Sequence, residues 1–177
     1  MKNNEKGLIH IYFGDGKGKS TAAAGLAARA SGHGGKVVFA QFLKAQETGE
    51  IVPLERLGVK IIRSDETKNF TWQMTEEQKE NCRNIQSSLL DQAEKAVREE
   101  GADLLVLDEA LNAVSTNMLD SEKLKKFLEN KPENLEIVLT GFTLPEGFES
   151  KADYITEMKK RKHPFDNGVL AREAIEY

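Results

Sequence analysis

One cysteine, four prolines, one tryptophan and three histidines are all the 177-residue chain holds of those types. Cys82 alone rules out an intrachain disulfide, and with it a disulfide-stapled secreted scaffold. No apolar run approaches the roughly 20 residues that cross a bilayer. The polar start, Met1 to Lys6, has no signal-peptide core. A cytoplasmic location is therefore expected. His10, His33 and His163 show no metal-ligand spacing and are read as structural. A basic excess is also missing: the net charge of −4 argues against a nucleic-acid partner. An anionic ligand must then be drawn by a local field. Repeats, low-complexity tracts and linkers are absent, so residues 1–177 read as a single domain with room for a substantial core. No Ser-His-Asp set or paired general acid and base stands out. That leaves room for chemistry whose nucleophile needs no deprotonation.

What is present is a glycine-rich, basic octapeptide, Gly14-Asp15-Gly16-Lys17-Gly18-Lys19-Ser20-Thr21. It follows the apolar run Leu8 to Phe13 and precedes the alanine-rich stretch Thr21 to Ala30. Strand, glycine loop, helix is the setting of a phosphate-binding loop. Glycines let successive N–H groups turn into one concavity, and the helix behind adds the positive end of its dipole. Lys19 is placed to reach phosphate oxygens, and the Ser20 hydroxyl to hold magnesium. The loop is one residue shorter than G-x-x-x-x-G-K-[ST], because Phe13 stands where the first glycine belongs. Lys17 makes it more basic. Such a loop would hold a triphosphate differently from an ordinary ATPase.

Strand-like and helix-like segments alternate along the rest of the chain. Lys36 to Phe42, Val59 to Ile62, Leu104 to Leu107, Glu136 to Thr140 and Tyr154 to Glu157 read as strands. A long helix is expected from Thr75 to Glu100, opened by a Thr75/Gln78 capping box and stopped by Gly101. Its apolar face is Cys82, Ile85, Leu89, Ala93 and Ala96. A second helix is expected over Ser121 to Asn130. The fold class is therefore α/β: an open, mainly parallel sheet flanked by helices on both faces, built around a phosphate loop. Residues 43–50 and 64–74 fit neither class and follow strands. Both should lie at the carboxyl edge of the sheet, where open α/β folds bind ligands.

Asp108-Glu109 ends an apolar strand, the usual place for the acidic partner of a phosphate loop. The pair is assigned to the metal, with the choice between the two carboxylates left open. Phe70 and Trp72 alternate in a polar stretch; they are either core-facing or a lid over a large flat ligand. Arg29 lies near the end of the first helix, where it could simply meet the dipole.

Taken in order, these motifs resemble one family. They are the loop, then A-R-A-S-G-H-G at 28–34, Q-F-L-K at 41–44, F-T-W at 70–72, V-L-D-E at 106–109, L-T-G at 139–141 and K-H-P-F-D-N-G-V at 162–169. The chain looks like an ATP:corrinoid adenosyltransferase of the cobalamin-biosynthetic P-loop type, over about Gly7 to Tyr177. The resemblance implies transfer of the 5′-deoxyadenosyl group of ATP to the Co(I) of a reduced corrinoid, with release of triphosphate. Reduced corrin cobalt is itself a strong nucleophile. The resemblance assigns Lys19 and the loop from Gly14 to Thr21 to the phosphates. It makes Ser20 and Glu109 the magnesium ligands and Arg29 a polar contact to the nucleotide. It sets Phe70 and Trp72 against the lower corrin face, where they displace the axial ligand and ease reduction of Co(II). A flavodoxin-like reductant and a homodimer are further implications.

Two positions depart from the family pattern. Gly49-Glu50-Ile51 stands where G-E-R is common, and Thr140-Gly141-Phe142 where T-G-R is common. Two arginines near the nucleotide and corrin edge are thus missing. A P-loop ATPase or kinase for another small molecule, and a non-catalytic nucleotide- or corrinoid-binding relative, are the alternatives.

Overall fold

The structure, a computed structural model, describes residues 6–44, 48–66 and 73–176. Phe70 and Trp72 lie outside the described residues. Six strands form one sheet: β1 (Ile9–Phe13), β2 (Val37–Gln41), β3 (Lys60–Ile62), β4 (Leu104–Asp108), β5 (Glu136–Gly141) and β6 (Tyr154–Glu157). Their order is β3-β2-β4-β5-β1-β6, and every neighbouring pair is parallel. The expected α/β class holds, with the sheet wholly parallel rather than mainly so.

Alternation along β4 sets the two layers. Leu104 and Val106 face one core, Leu105 and Leu107 the other. Two helices cover the first face: α1 (Lys19–Gly32), through Ala23, Ala27 and Ala30, and α2 (Ile51–Arg56), through Ile51 and Leu54. Small alanines let α1 lie close against the strands. The second face carries α3 (Glu76–Ala96), α4 (Ala110–Ser115) and α5 (Ser121–Glu129), with Leu89, Leu90, Ala93, Leu111, Leu124 and Phe127 in its core.

The capping box at Thr75 and Gln78 forms as expected. The helix behind it does not stay α-helical to Glu100. It widens after Ala96 into a π-helical turn, Val97–Gly101, before Gly101 reverses the chain at φ 72°. The short helices α2 and α4 were not anticipated. Each has only six residues, too few for a helical period to stand out.

Candidate functional site

The carboxyl ends of β1, β4 and β5 bring Phe13, Asp108 and Gly141 to one edge of the sheet. The glycine loop leaves β1 there and runs into α1. Gly14 and Gly18 sit at φ 115° and 113°, a region that side chains rarely enter. A Cβ at Gly14 would also come within 2.4 Å of the Met158 carbonyl oxygen. Not every loop amide is open to a ligand. The Gly14 amide donates to the Phe142 carbonyl at 3.1 Å and the Gly16 amide to that of Met158 at 2.7 Å. Those two N–H groups stitch the loop to the ends of β5 and β6. The first-turn amides of α1, at Lys19, Ser20 and Thr21, have no intrahelical acceptor and carry the dipole's positive end.

The Lys19 ammonium folds back on the Gly16 carbonyl at 2.6 Å and stands 4.8 Å from the centre of the Phe142 ring. Burial lowers its pKa, an effect that Glu109, Asp15 and Asp108 oppose. Lys17 points elsewhere, to the Ile175 carbonyl (3.0 Å) and the Glu176 carboxylate (2.7 Å) of the C-terminal segment. The Asp15 carboxylate accepts from the Lys160 amide at 2.9 Å, and this hydrogen bond holds its pKa low. Beside the loop a cleft of about 540 Å³ opens between Phe13, Phe142, Leu144, Lys160 and Arg161. Arg29 is exposed in the last turn of α1, about 15 Å along the axis from Lys19 at 1.5 Å per residue. The structure therefore gathers Lys19, Ser20 and Glu109 but leaves Arg29 at the far end of the helix.

Asp108 is fully buried and densely bonded. Its Oδ1 accepts from Thr140 Oγ1 at 2.8 Å, and its Oδ2 from Lys44 Nζ at 2.9 Å and Gln41 Nε2 at 3.4 Å. Burial alone would raise its pKa. The Lys44 charge, with hydrogen bonds from Lys44, Ser20 and Thr140, outweighs that and holds the carboxyl below its ordinary range. Glu109 behaves oppositely. Burial raises its pKa, and the Lys44 charge only partly offsets this. Its backbone is left-handed, φ 60°, an uncommon conformation for such a residue. The Glu109 amide is held by Thr140 Oγ1 at 2.8 Å. Its carboxylate still meets one of Asp108's partners: Glu109 Oε1 lies 3.4 Å from Lys44 Nζ.

Such a phosphate loop with a carboxylate at the end of a neighbouring strand serves many reactions, so the comparisons with known proteins decide the family. Residues 5–177 match the family model described as ATP:corrinoid adenosyltransferase BtuR/CobO/CobP. The chain belongs to this family. It is 34% identical over 177 residues to the corrinoid adenosyltransferase of Escherichia coli K12, covering 98% of this chain and 87% of that one. It is 33% identical over 179 residues to that of a Sinorhizobium species, covering 99% and 83%. The Salmonella typhimurium LT2 relative, corrinoid adenosyltransferase CobA, is 32% identical over 174 residues, covering 98% and 87%.

Within this adenosyltransferase, Ser20 and Glu109 offer hard oxygen donors, the type magnesium takes alongside phosphate and water. The donor set thus fits the ion that such a loop ordinarily accompanies. Among the described residues no three His, Cys, Asp or Glu gather into a denser metal nest. Sequence reasoning passed over two residues that contact Asp108 and Glu109, Lys44 and Thr140. Lys44 was visible only as the last letter of Q-F-L-K, and Thr140 as the middle of L-T-G. A lysine two residues beyond the strand-like run ending at Phe42 was the available signal for the first. Among the described residues no helix is long and apolar enough to cross a membrane.

Proposed function

We propose that the chain is a single P-loop domain that moves the 5′-deoxyadenosyl group of ATP onto the Co(I) of a reduced corrinoid. The observation that carries this reading is the family match over residues 5–177, joined to a short basic loop beside an acidic strand end. The cobalt electron pair attacks C5′ and the C5′–O bond breaks. Triphosphate departs with that bond's electrons, and cobalt is formally oxidised from I to III. No base is needed. The protein's work is to place C5′ near cobalt and to receive the charge of the leaving group.

Lys19 and the α1 amides take the phosphates in this reading. Gly14, Asp15, Gly16, Lys17 and Gly18 shape the loop around them. Ser20 and Glu109 would hold a magnesium ion, which lowers the negative charge of the triphosphate when bound. Asp108, tied to Thr140 and Lys44, is the less available carboxylate. Arg29 serves as a polar contact to the nucleotide. Phe70 and Trp72 pack on the lower corrin face and exclude its axial ligand. Activity in the cytoplasm, a flavodoxin-like electron donor and a homodimeric state complete the proposal. The nucleotide product tests it. Phosphorus NMR of the reaction should show tripolyphosphate in step with adenosylcorrinoid; ADP or orthophosphate as the main product refutes the reading.

A further inference from the structure

The Lys44 ammonium occupies the middle of the acidic end of the site. Its Nζ lies 2.9 Å from Asp108 Oδ2, 3.3 Å from Ser20 Oγ, 3.4 Å from Glu109 Oε1 and 4.0 Å from Glu50 Oε1. The chain is shaped to deliver it there. Phe42 donates its amide to the Asp108 carbonyl at 2.9 Å. Leu43 then takes a left-handed turn, φ 55°, which is unfavourable for a leucine. Its amide is secured at 3.0 Å by the side chain of Gln86, buried in α3. Gln41 also reaches Thr48 and Glu50, at 3.4 and 3.3 Å. Strand β2 and helix α3 together aim one lysine at Ser20 and two carboxylates.

Ser20 and Glu109 are also the two residues assigned to magnesium, and the inference rests on that assignment. A magnesium ion binds oxygen at about 2.0–2.1 Å. An ion so close to both oxygens would share them with an ammonium already 3.3 and 3.4 Å away. Two cations cannot hold the same ligands in a partly buried pocket without strong repulsion. A bound triphosphate changes the balance. Its oxygens add ligands for the ion and give the displaced ammonium a new anionic partner.

We propose that Lys44 is a tethered counter-ion of the metal pocket, competing with magnesium for Ser20 and Glu109 and leaving only when nucleotide and metal enter together. Lys44 keeps Asp108 and Glu109 positioned before loading and turns to the triphosphate afterwards. Free divalent metal is thereby refused, and metal bound to ATP is accepted. Lys44 is a positioning residue that acts on the ion's ligands.

Manganese binding followed by electron paramagnetic resonance on the full chain tests this. Wild type should bind Mn²⁺ alone at least tenfold more weakly than it does with ATP present. Lys44→Met should tighten nucleotide-free Mn²⁺ binding by at least tenfold and weaken ATP binding several-fold. Lys44→Arg should behave as wild type. Lys44→Gln provides the same neutral test should the methionine variant not fold. Unchanged or weaker Mn²⁺ binding by a neutral variant with a native circular-dichroism spectrum overturns the inference, provided wild type binds Mn²⁺ with ATP. Equal binding of Mn²⁺ with ATP by wild type and Glu109→Gln overturns instead the metal assignment beneath it.

Discussion

Lys19 Nζ stands 4.8 Å from the centre of the Phe142 ring, so the phosphate-loop lysine and the residue just beyond β5 form a cation–π pair at the mouth of the site. Phe142 is 58% exposed, and its amide is anchored at 2.6 Å by Asn112 Oδ1. The anchor fixes the backbone and leaves the ring free to face a ligand. Such a pair contributes about 0.5–1 kcal/mol at an exposed position. Phe142→Ala should therefore weaken ATP binding by only about two- to fivefold, read by calorimetric titration. Phe142→Arg should leave kcat within about tenfold of wild type, roughly 1.4 kcal/mol of barrier. A loss of a hundredfold or more would mean the ring does more than hold Lys19.

Glu109 should trade stability for function. Burial first, and the Asp108 charge as well, raise its pKa, so the folded protein holds this proton more tightly than the unfolded chain. Its contribution to stability is full in acid and is lost as pH rises through the raised value. Glu109→Gln removes that loss. Calorimetry should show a higher Tm than wild type at neutral pH, with the difference closing below the ordinary carboxylate range. Metal-dependent activity should fall in the same variant. A lower Tm at neutral pH contradicts this account of the carboxylate.

How far the site was legible depended on the kind of signal each residue left. The loop, the Asp108-Glu109 strand end and the capping box at Thr75 carry local chemistry that a linear pattern displays. Lys44 does not. Its role arises from the Leu43 turn and the Gln86 contact, which bring together residues 43 positions apart in sequence. In the sequence the loop glycines show only a phosphate-facing role. The end of β6 crowds Gly14 and Gly16 as well, and no local pattern could reveal Met158 as their neighbour. Of the two missing arginines, the structure separates the cases. Phe142 faces the open edge, whereas Ile51 is 8% exposed and packs in the core beneath α1 and α2. An isoleucine there is a core residue as well as a lost charge.

Ala174 is strained at φ 64° in the C-terminal turn that presents Ile175 and Glu176 to Lys17. A non-glycine residue there loses roughly 1–2 kcal/mol, part of which glycine gives back as about 0.5–1 kcal/mol of extra unfolded-chain entropy. Ala174→Gly should then favour the ordered turn by about 0.5–1 kcal/mol, a two- to fivefold gain. Hydrogen exchange of the Ile175 and Glu176 amides, both bonded to the Arg172 carbonyl, should slow by that factor. Faster exchange would show that the left-handed residue is not what limits this turn.

In the proposed reaction Trp72 would pack on the corrin's lower face. Trp72→Ala should spare ATP binding and slow the reaction when it begins from Co(II) corrinoid. Chemically prereduced Co(I) should recover much of the rate. Equal losses from both starting states would contradict a role in reduction.

In the proposed adenosyl transfer the short basic loop would grip triphosphate as the leaving group. The most direct test supplies cob(I)alamin and Mg·ATP anaerobically to wild type and to Lys19→Ala, following the cobalt–carbon product by its light-sensitive spectrum. Wild type should form adenosylcobalamin with one tripolyphosphate per turnover. Lys19→Ala should form none and bind ATP at least tenfold more weakly, about 1.4 kcal/mol. Phosphate or ADP released without a cobalt–carbon product, or an unimpaired Lys19→Ala, would contradict the account.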